Sequence, residues 1–273
     1  MIKILPRYLI LIVLLVLIFR IVLWGISPNR SPSWTGFGEK ELIENHQYAK
    51  TLWDWLELAL IPFILALSVW YLGKIEKNID EQRDFEKNQE TNINNYLESM
   101  TKLLLENNLK SASRNDEVQI VARTKTLMML QKADKNRKAL IIQFLFESGL
   151  IDTEPIVDLN GADISESDLN GIILREANIK GAYFNNSKLI GSKLDGANLS
   201  SSNFNGSNIS NSTFENTNLT YANFVNAVVK NCDLTKANLD GTDFSNANLK
   251  GSRITKEQAD QIIKINTKNL NIL

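Results

Sequence analysis

The chain contains one histidine, His46, and one cysteine, Cys232. A single imidazole cannot build multi-histidine metal sites or the paired acid–base systems that histidine chemistry uses. A single thiol excludes a disulfide framework and cysteine-based metal clusters. Hydroxyls are plentiful downstream, Ser167 and Ser202 among them, but no nucleophile–base set, phosphate loop or metal-ligand spacing accompanies them. Total charge adds little: 30 Lys+Arg against 31 Asp+Glu leave a net of −1. That balance excludes recognition of polyanions by bulk basicity and equally an acidic tail protein. No catalytic residue, no metal ligand and no cofactor is expected, and the residues point to architecture instead.

Apolar residues crowd the first quarter of the 273-residue chain, while Asn, Ser and Gly fill the last part. The stretch 8–26 is interrupted only by Arg20, and its length suits the roughly 20 residues that a helix needs to cross a bilayer. A second span is expected over 53–72, with Trp53 and Trp55 at one end and Trp70 and Tyr71 at the other, where headgroups favour amphipathic rings. Pro62 is tolerable within it. A cleaved leader is the alternative for the first run, with Gly25-Ile26-Ser27 as the small-x-small site, although Pro28 follows it awkwardly. Lys3 and Arg7 before the first span, and Lys74, Lys77, Arg83 and Lys87 after the second, place both ends in the cytoplasm. The expectation is a two-span protein of the plasma (inner) membrane. Arg20 and Glu57 would lie about 9 and 6 Å deep in an antiparallel hairpin. They form a candidate ion pair, with snorkelling of Arg20 as the alternative.

From Lys74 to Lys110 the chain reads as one polar helix. Ile75, Ile79, Ile93, Tyr96, Met100 and Leu103 form an a/d-like seam that Gln82, Glu86 and Gln89 interrupt. A homo-oligomer through helix 75–110 is one reading and a solvated stalk the other. Two amphipathic helices follow, about 116–130 and 136–148, whose apolar faces (Val118, Val121, Met128; Leu140, Ile141, Phe144, Leu145) must cover something. The region 74–151 is thus a helical connector and N-terminal cap.

From Leu159 to Ile254 every fifth residue is apolar, twenty in succession, and the residue two places before each is nearly always small. Val157 and Ile172 are the exceptions. A period of five fits neither helix nor plain strand and requires a coil that turns a corner every five residues. Phe184, Phe204, Phe224 and Phe244 recur at intervals of twenty, so four sides make one square turn and the rings form a column. Asn178, Asn198, Asn218 and Asn238 recur likewise, as an outward ladder and candidate interaction face. Five coils at ~4.8 Å each give a rod of roughly 24 Å over 157–256. Cys232 occupies a small inward position and is expected to pack. Thr255-Lys256-Glu257-Gln258 is a capping-box pattern, so 257–273 should hold a C-terminal capping helix and tail.

Ala197-Asn198-Leu199, Ala237-Asn238-Leu239 and Ala247-Asn248-Leu249 resemble the A(D/N)LXX unit of the pentapeptide-repeat proteins. The resemblance implies a mainly β fold, a right-handed quadrilateral β-helix. Leu52-Trp53-Asp54-Trp55-Leu56-Glu57-Leu58 and 117–151, with Val-Ala-Arg-Thr and Phe-Leu-Phe-Glu-Ser-Gly-Leu-Ile, are similar to a membrane-anchored bacterial branch with two N-terminal spans. Some pentapeptide-repeat proteins bind topoisomerases as DNA mimics, which demands an anionic rod. Between Val157 and Lys256 there are ten acidic and nine basic residues. The expected function is therefore a non-enzymatic, membrane-anchored scaffold that presents the rod to an unidentified protein partner and binds no nucleic acid. An accessory subunit of a membrane channel or transporter is the alternative.

Overall fold

A computed structural model describes residues 42–43, 47–48, 52–113, 116–262, 264–265 and 271–272. The chain divides into two compact units, 1–83 and 84–273.

In the first unit, β1 (Leu42–Ile43) and β2 (Gln47–Tyr48) pair antiparallel. Helix α1 (Leu52–Leu105) carries Pro62 inside it. The polar helix expected to begin at Lys74 is continuous with the apolar stretch before it. Gly73 alone weakens a helix by only about 1 kcal/mol and does not stop one. All side chains from Pro62 to Leu72 are exposed, Val69 by 70% and Trp70 by 62%. Among the described residues, no helix is long and apolar enough to cross a membrane. The span expected at 8–26 lies outside the described residues, as do Arg20 and the side chain of Glu57, and therefore the proposed ion pair.

In the second unit, the seam residues Ile93, Tyr96 and Met100 of α1 are buried in the chain's own core. Ile75 and Ile79, on the first unit's stretch of α1, are exposed. Helices α2 (Glu117–Lys132) and α3 (Lys135–Glu147) share that core. Asp134 caps α3, accepting from the amides of Asn136 and Arg137, and Gly149 ends it with a left-handed φ of 63°. The buried face of α2 is rolled from the expected one: Ala122, Thr126, Met129 and Leu130 are inside, while Val121 and Met128 are exposed. The buried Tyr96 hydroxyl explains the roll, because it needs a partner and finds Thr126 Oγ1 at 2.9 Å. On α3, Ile141, Ile142 and Leu145 are buried and Leu140 is 55% exposed.

From Val157 the chain is a parallel β-helix whose backbone bridges join residues twenty apart, from Asp163↔Tyr183 to Asp233↔Arg253. All twenty five-residue centres are buried. Most corners are β-turns closed from centre to centre+3, as in Ala162 N to Leu159 O (2.9 Å). Its third residue has positive φ at nearly every corner, which defines a type II turn and explains the many Gly and Asn at that place. The Asp or Asn before a centre accepts from the amide two residues on, as Asn223 Oδ1 does from Val225 N (2.9 Å). These side chains template the corners.

Both ends of the ladder are closed. Orphan carbonyls of the first coil accept from Arg123 (Asp158 O and Asn160 O, both 2.9 Å) and from buried Lys138 (Ser165 O, 3.0 Å). At the far end, the capping box of Thr255 and Gln258 opens α4 (Lys256–Gln261), and Gln258 Nε2 donates to Leu234 O (2.8 Å) and Ala237 O (2.6 Å). The tail does more than follow the helix. Strands β3 (Asp243–Phe244) and β4 (Arg253–Ile254) pair in parallel with β5 (Lys264–Ile265) and β6 (Asn271–Ile272). The tail thus covers the ladder edge on two sides of the last coil.

Candidate interaction faces

Inside the coils the Phe rings form a column. The Phe184–Phe204 and Phe204–Phe224 centroids are each 4.7 Å apart and nearly parallel, and Phe224–Phe244 are 5.0 Å apart. The buried hydroxyls read from the sequence as small fillers have a further role. Ser192, Ser202, Ser212, Thr217, Thr242 and Ser252 each donate to the carbonyl of the centre residue 23 positions earlier, at 2.6–3.0 Å. They staple one coil to the one before it. Cys232 holds the same place, with Sγ 3.4 Å from Ile209 O, and burial pushes its thiol up to about 11. A protonated, buried thiol is a packing group. Among the described residues no cluster of His, Cys, Asp and Glu could hold a metal.

Chemistry is thus left to the outer surface, which has four faces. The first, centred on Leu159, Ile179, Leu199, Leu219 and Leu239, carries the Asn column. Asn178, Asn198 and Asn218 are half-buried and Asn238 is exposed. Their Oδ1 atoms serve the corners: Asn198 accepts from Ser200 Oγ (2.8 Å), Asn218 from Thr220 Oγ1 (2.6 Å) and Asn238 from Asp240 N (3.1 Å). Asn178 Nδ2 donates to Thr153 O (3.1 Å). The column is therefore partly a structural device. At its edge Tyr221 is 64% exposed with φ 59°, a left-handed backbone that bulky residues seldom adopt.

The second face, centred on Ile164 and the four Phe, bears Asp163, Glu166 and Asp243 and no basic residue. The third, centred on Leu169, Leu189, Ile209, Val229 and Leu249, bears Lys188, Lys230 and Lys250 against Asp168 alone. On the fourth, centred on Leu174, Leu194, Phe214, Leu234 and Ile254, charges of opposite sign meet between coils. Arg175 pairs with Asp195 (3.1 Å), Lys236 with Glu215 and Arg253 with Asp233. Burial opposes ionisation of Asp195, but the Thr213 hydroxyl, the Glu215 amide and Arg175 outweigh it and hold the carboxyl below its ordinary value. A near-neutral total hides this sorting of charge by face, which only the twenty-residue turn creates.

Beside the first coil an open cleft of about 1030 Å³ lies between α2 and the segment 153–156, with Lys110, Ile120, Arg123, Pro155 and Lys180 in its lining. Arg123 is engaged there with the carbonyls of Asp158 and Asn160.

Two family models match the coils: "Pentapeptide repeats (8 copies)" over 157–189 and "Pentapeptide repeat region" over 187–262. No curated protein matches the chain. Three of the similar solved structures show how far the likeness extends. A pentapeptide repeat protein from the Arabidopsis thaliana thylakoid lumen is 25% identical over 36% of this chain and 66% of its own, with a TM-score of 0.29. A pentapeptide repeat protein from Nostoc Pcc 7120 is 18% identical over 41% and 86%, at 0.19. QnrB1, a plasmid-mediated fluoroquinolone resistance protein, is 20% identical over 51% and 75%, at 0.27. Scores this low carry no argument about function. The family models together match 157–262, and over 157–254 the twenty-residue coil observed there makes that region a pentapeptide-repeat β-helix.

Proposed function

We propose that the protein is a non-enzymatic scaffold, held on the plasma (inner) membrane through its N-terminal region, whose rigid β-helix offers flat outer faces to a protein partner in the cytoplasm. The observation that carries the scaffold reading is the commitment of the interior. The buried side chains are apolar centres and small residues, and the inward hydroxyls named above donate to backbone carbonyls of the adjacent coil. What varies from coil to coil lies outside, and regular faces built on a rigid ladder suit recognition. Anchoring is supported by the apolar, exposed stretch of α1 from Pro62 to Leu72 and by the apolar sequence over 8–26. A helix without a polar face is suited to lipid or a partner helix rather than to water.

DNA mimicry is disfavoured by the charge pattern: the face without basic residues bears only Asp163, Glu166 and Asp243, and Lys180, Lys188, Lys193, Lys230 and Lys250 occupy the other three. An accessory subunit of a membrane channel or transporter is the second reading, and the same exposed helix favours it. A chain with two spans would form no pore alone, so that reading requires oligomerisation. The deciding experiment is affinity capture of the full chain from detergent-solubilised membranes, beside a variant with Arg175, Lys236 and Arg253 reversed to Glu. A partner lost on reversal supports recognition by the rod. A partner retained by the variant, but lost when Phe63, Leu67 and Trp70 are made polar, supports the membrane-subunit reading. Orientation is tested by cysteine labelling in a Cys232→Ser background. A cysteine at Ser33 should react with an impermeant reagent in intact cells, and one at the exposed Asp240 only once the membrane is opened.

A further inference from the structure

Where the rod brings charges together across coils on its fourth face, they are of opposite sign: Arg175 with Asp195, Glu215 with Lys236, Asp233 with Arg253. The third face departs from this. Lys230 and Lys250 stand on consecutive rungs of one column, each following a buried centre, Val229 and Leu249. The ladder beside them, Val229 N to Asn248 O (2.9 Å) and Asn231 N to Lys250 O (3.1 Å), holds their backbones at the spacing of adjacent strands. Neither lysine has an ion pair among the described residues. Like charges directly opposite on neighbouring strands are destabilising. Lys188 adds a third positive charge, and the face's only carboxylate, Asp168, lies in the first coil. Between them are Ile190, 37% exposed, and half-buried Val228.

A flat face of uncompensated lysines with apolar side chains among them suits a planar anionic surface that offers both charge and hydrocarbon. We propose that this third face docks on anionic phospholipid headgroups through Lys188, Lys230 and Lys250. The proposal rests on the reading of the protein as membrane-held, since a tethered rod meets the leaflet at high effective concentration. Lipid is favoured over an acidic protein because a membrane-held rod always has the leaflet within reach, and because Ile190 and Val228 offer apolar contact beside the lysines.

The test uses the full chain reconstituted into vesicles of phosphatidylcholine alone or with phosphatidylglycerol, and reads lysine acylation by an impermeant reagent through mass spectrometry. With the anionic lipid, acylation of Lys188, Lys230 and Lys250 should slow by roughly threefold or more and recover at high salt. Lys180 on the first face should be unchanged. The variant carrying Lys230→Glu and Lys250→Glu should lose the slowing at Lys188. Equal rates in both vesicles overturn the proposal. So does equal slowing by inorganic phosphate in neutral vesicles, which assigns the lysines to a small anion. Slowing that appears only when membrane proteins are added back assigns the face to an acidic protein and likewise overturns it. Retention in neutral vesicles through an alkaline wash reports anchoring separately, so failure of anchoring and failure of the lysine face are told apart.

Discussion

Phe204 lies flat on Phe224, with ring centroids 4.7 Å apart and planes within 4°, although twenty residues separate them. Isolated rings prefer offset or edge-to-face contact. Here the backbone ladder between Phe204 N and Asn223 O (2.7 Å) sets the spacing, and the rings follow it. Truncation in mid-column should therefore be severe. Phe204→Ala is expected to cost ~3–5 kcal/mol, and Phe244→Ala, nearer the end, less. Urea denaturation followed by circular dichroism checks this, and a Phe204→Ala protein that melts like the parent would contradict the column's role.

Ser202 separates volume from hydrogen bonding at the inward small position. Its hydroxyl donates to Ile179 O at 3.0 Å and is buried. Ser202→Ala should cost about 1 kcal/mol, the value of a typical hydrogen bond. Ser202→Leu forces a large side chain between coils and should cost more, ~1–3 kcal/mol or beyond. The order of the two variants in denaturant midpoint is the readout.

Lys138 closes the first coil, with Nζ 3.0 Å from Ser165 O and 3.2 Å from Asp163 Oδ2. Lys138→Met keeps the buried stem and removes the donor, so it should destabilise by roughly 1–3 kcal/mol. The loss should be local. Hydrogen exchange should quicken around 158–170 and remain unchanged around 220–240.

The carboxyl of Asp195 is held below its ordinary value, as is that of Asp233, where the Thr235 hydroxyl is the largest cause, with Arg253 adding to it against burial. A depressed folded-state pKa contributes stability above the unfolded value, and that contribution fades as pH falls through the folded one. Denaturant midpoints should therefore drop as pH is lowered below about 4. The double variant Asp195→Asn, Asp233→Asn should be less stable at neutral pH, with its deficit shrinking in acid. A deficit independent of pH would show that the carboxylate charge is not involved.

Cys232 is 1% exposed and its thiol is pushed up to about 11. Aromatic disulfide reagents at pH 8 should label it only on unfolding. Cys232→Ser should be nearly neutral, because Ser212 and Ser252, one coil to either side, already donate to equivalent carbonyls, Leu189 O and Val229 O. Fast labelling of the native protein would mean that the coil opens at this position.

The sequence by itself determined the coil. A side chain every five residues must be apolar to be buried, the residue two before it must be small to let the chain turn, and a recurrence of Phe at twenty can only mean four sides per turn. Those constraints are local, and the apolar centre repeats twenty times with a small residue before all but Leu159 and Leu174, so the pattern is written in residue types alone. The helices were less legible. Val121 and Met128 have the spacing of a buried face, yet α2 is rolled so that Ala122 and Thr126 face inward and Thr126 meets Tyr96, a partner thirty residues away. The tail was legible only to its capping box, because Lys264–Ile265 and Asn271–Ile272 add to the ladder by backbone pairing, which leaves no mark in side-chain type. Most of all, the tertiary structure decided the distribution of charge. Lys230 and Lys250, twenty residues apart in sequence, become neighbours on one column, while Arg175 and Asp195 become an ion pair on another face. A count along the chain averages these to near neutrality, and winding the chain separates them.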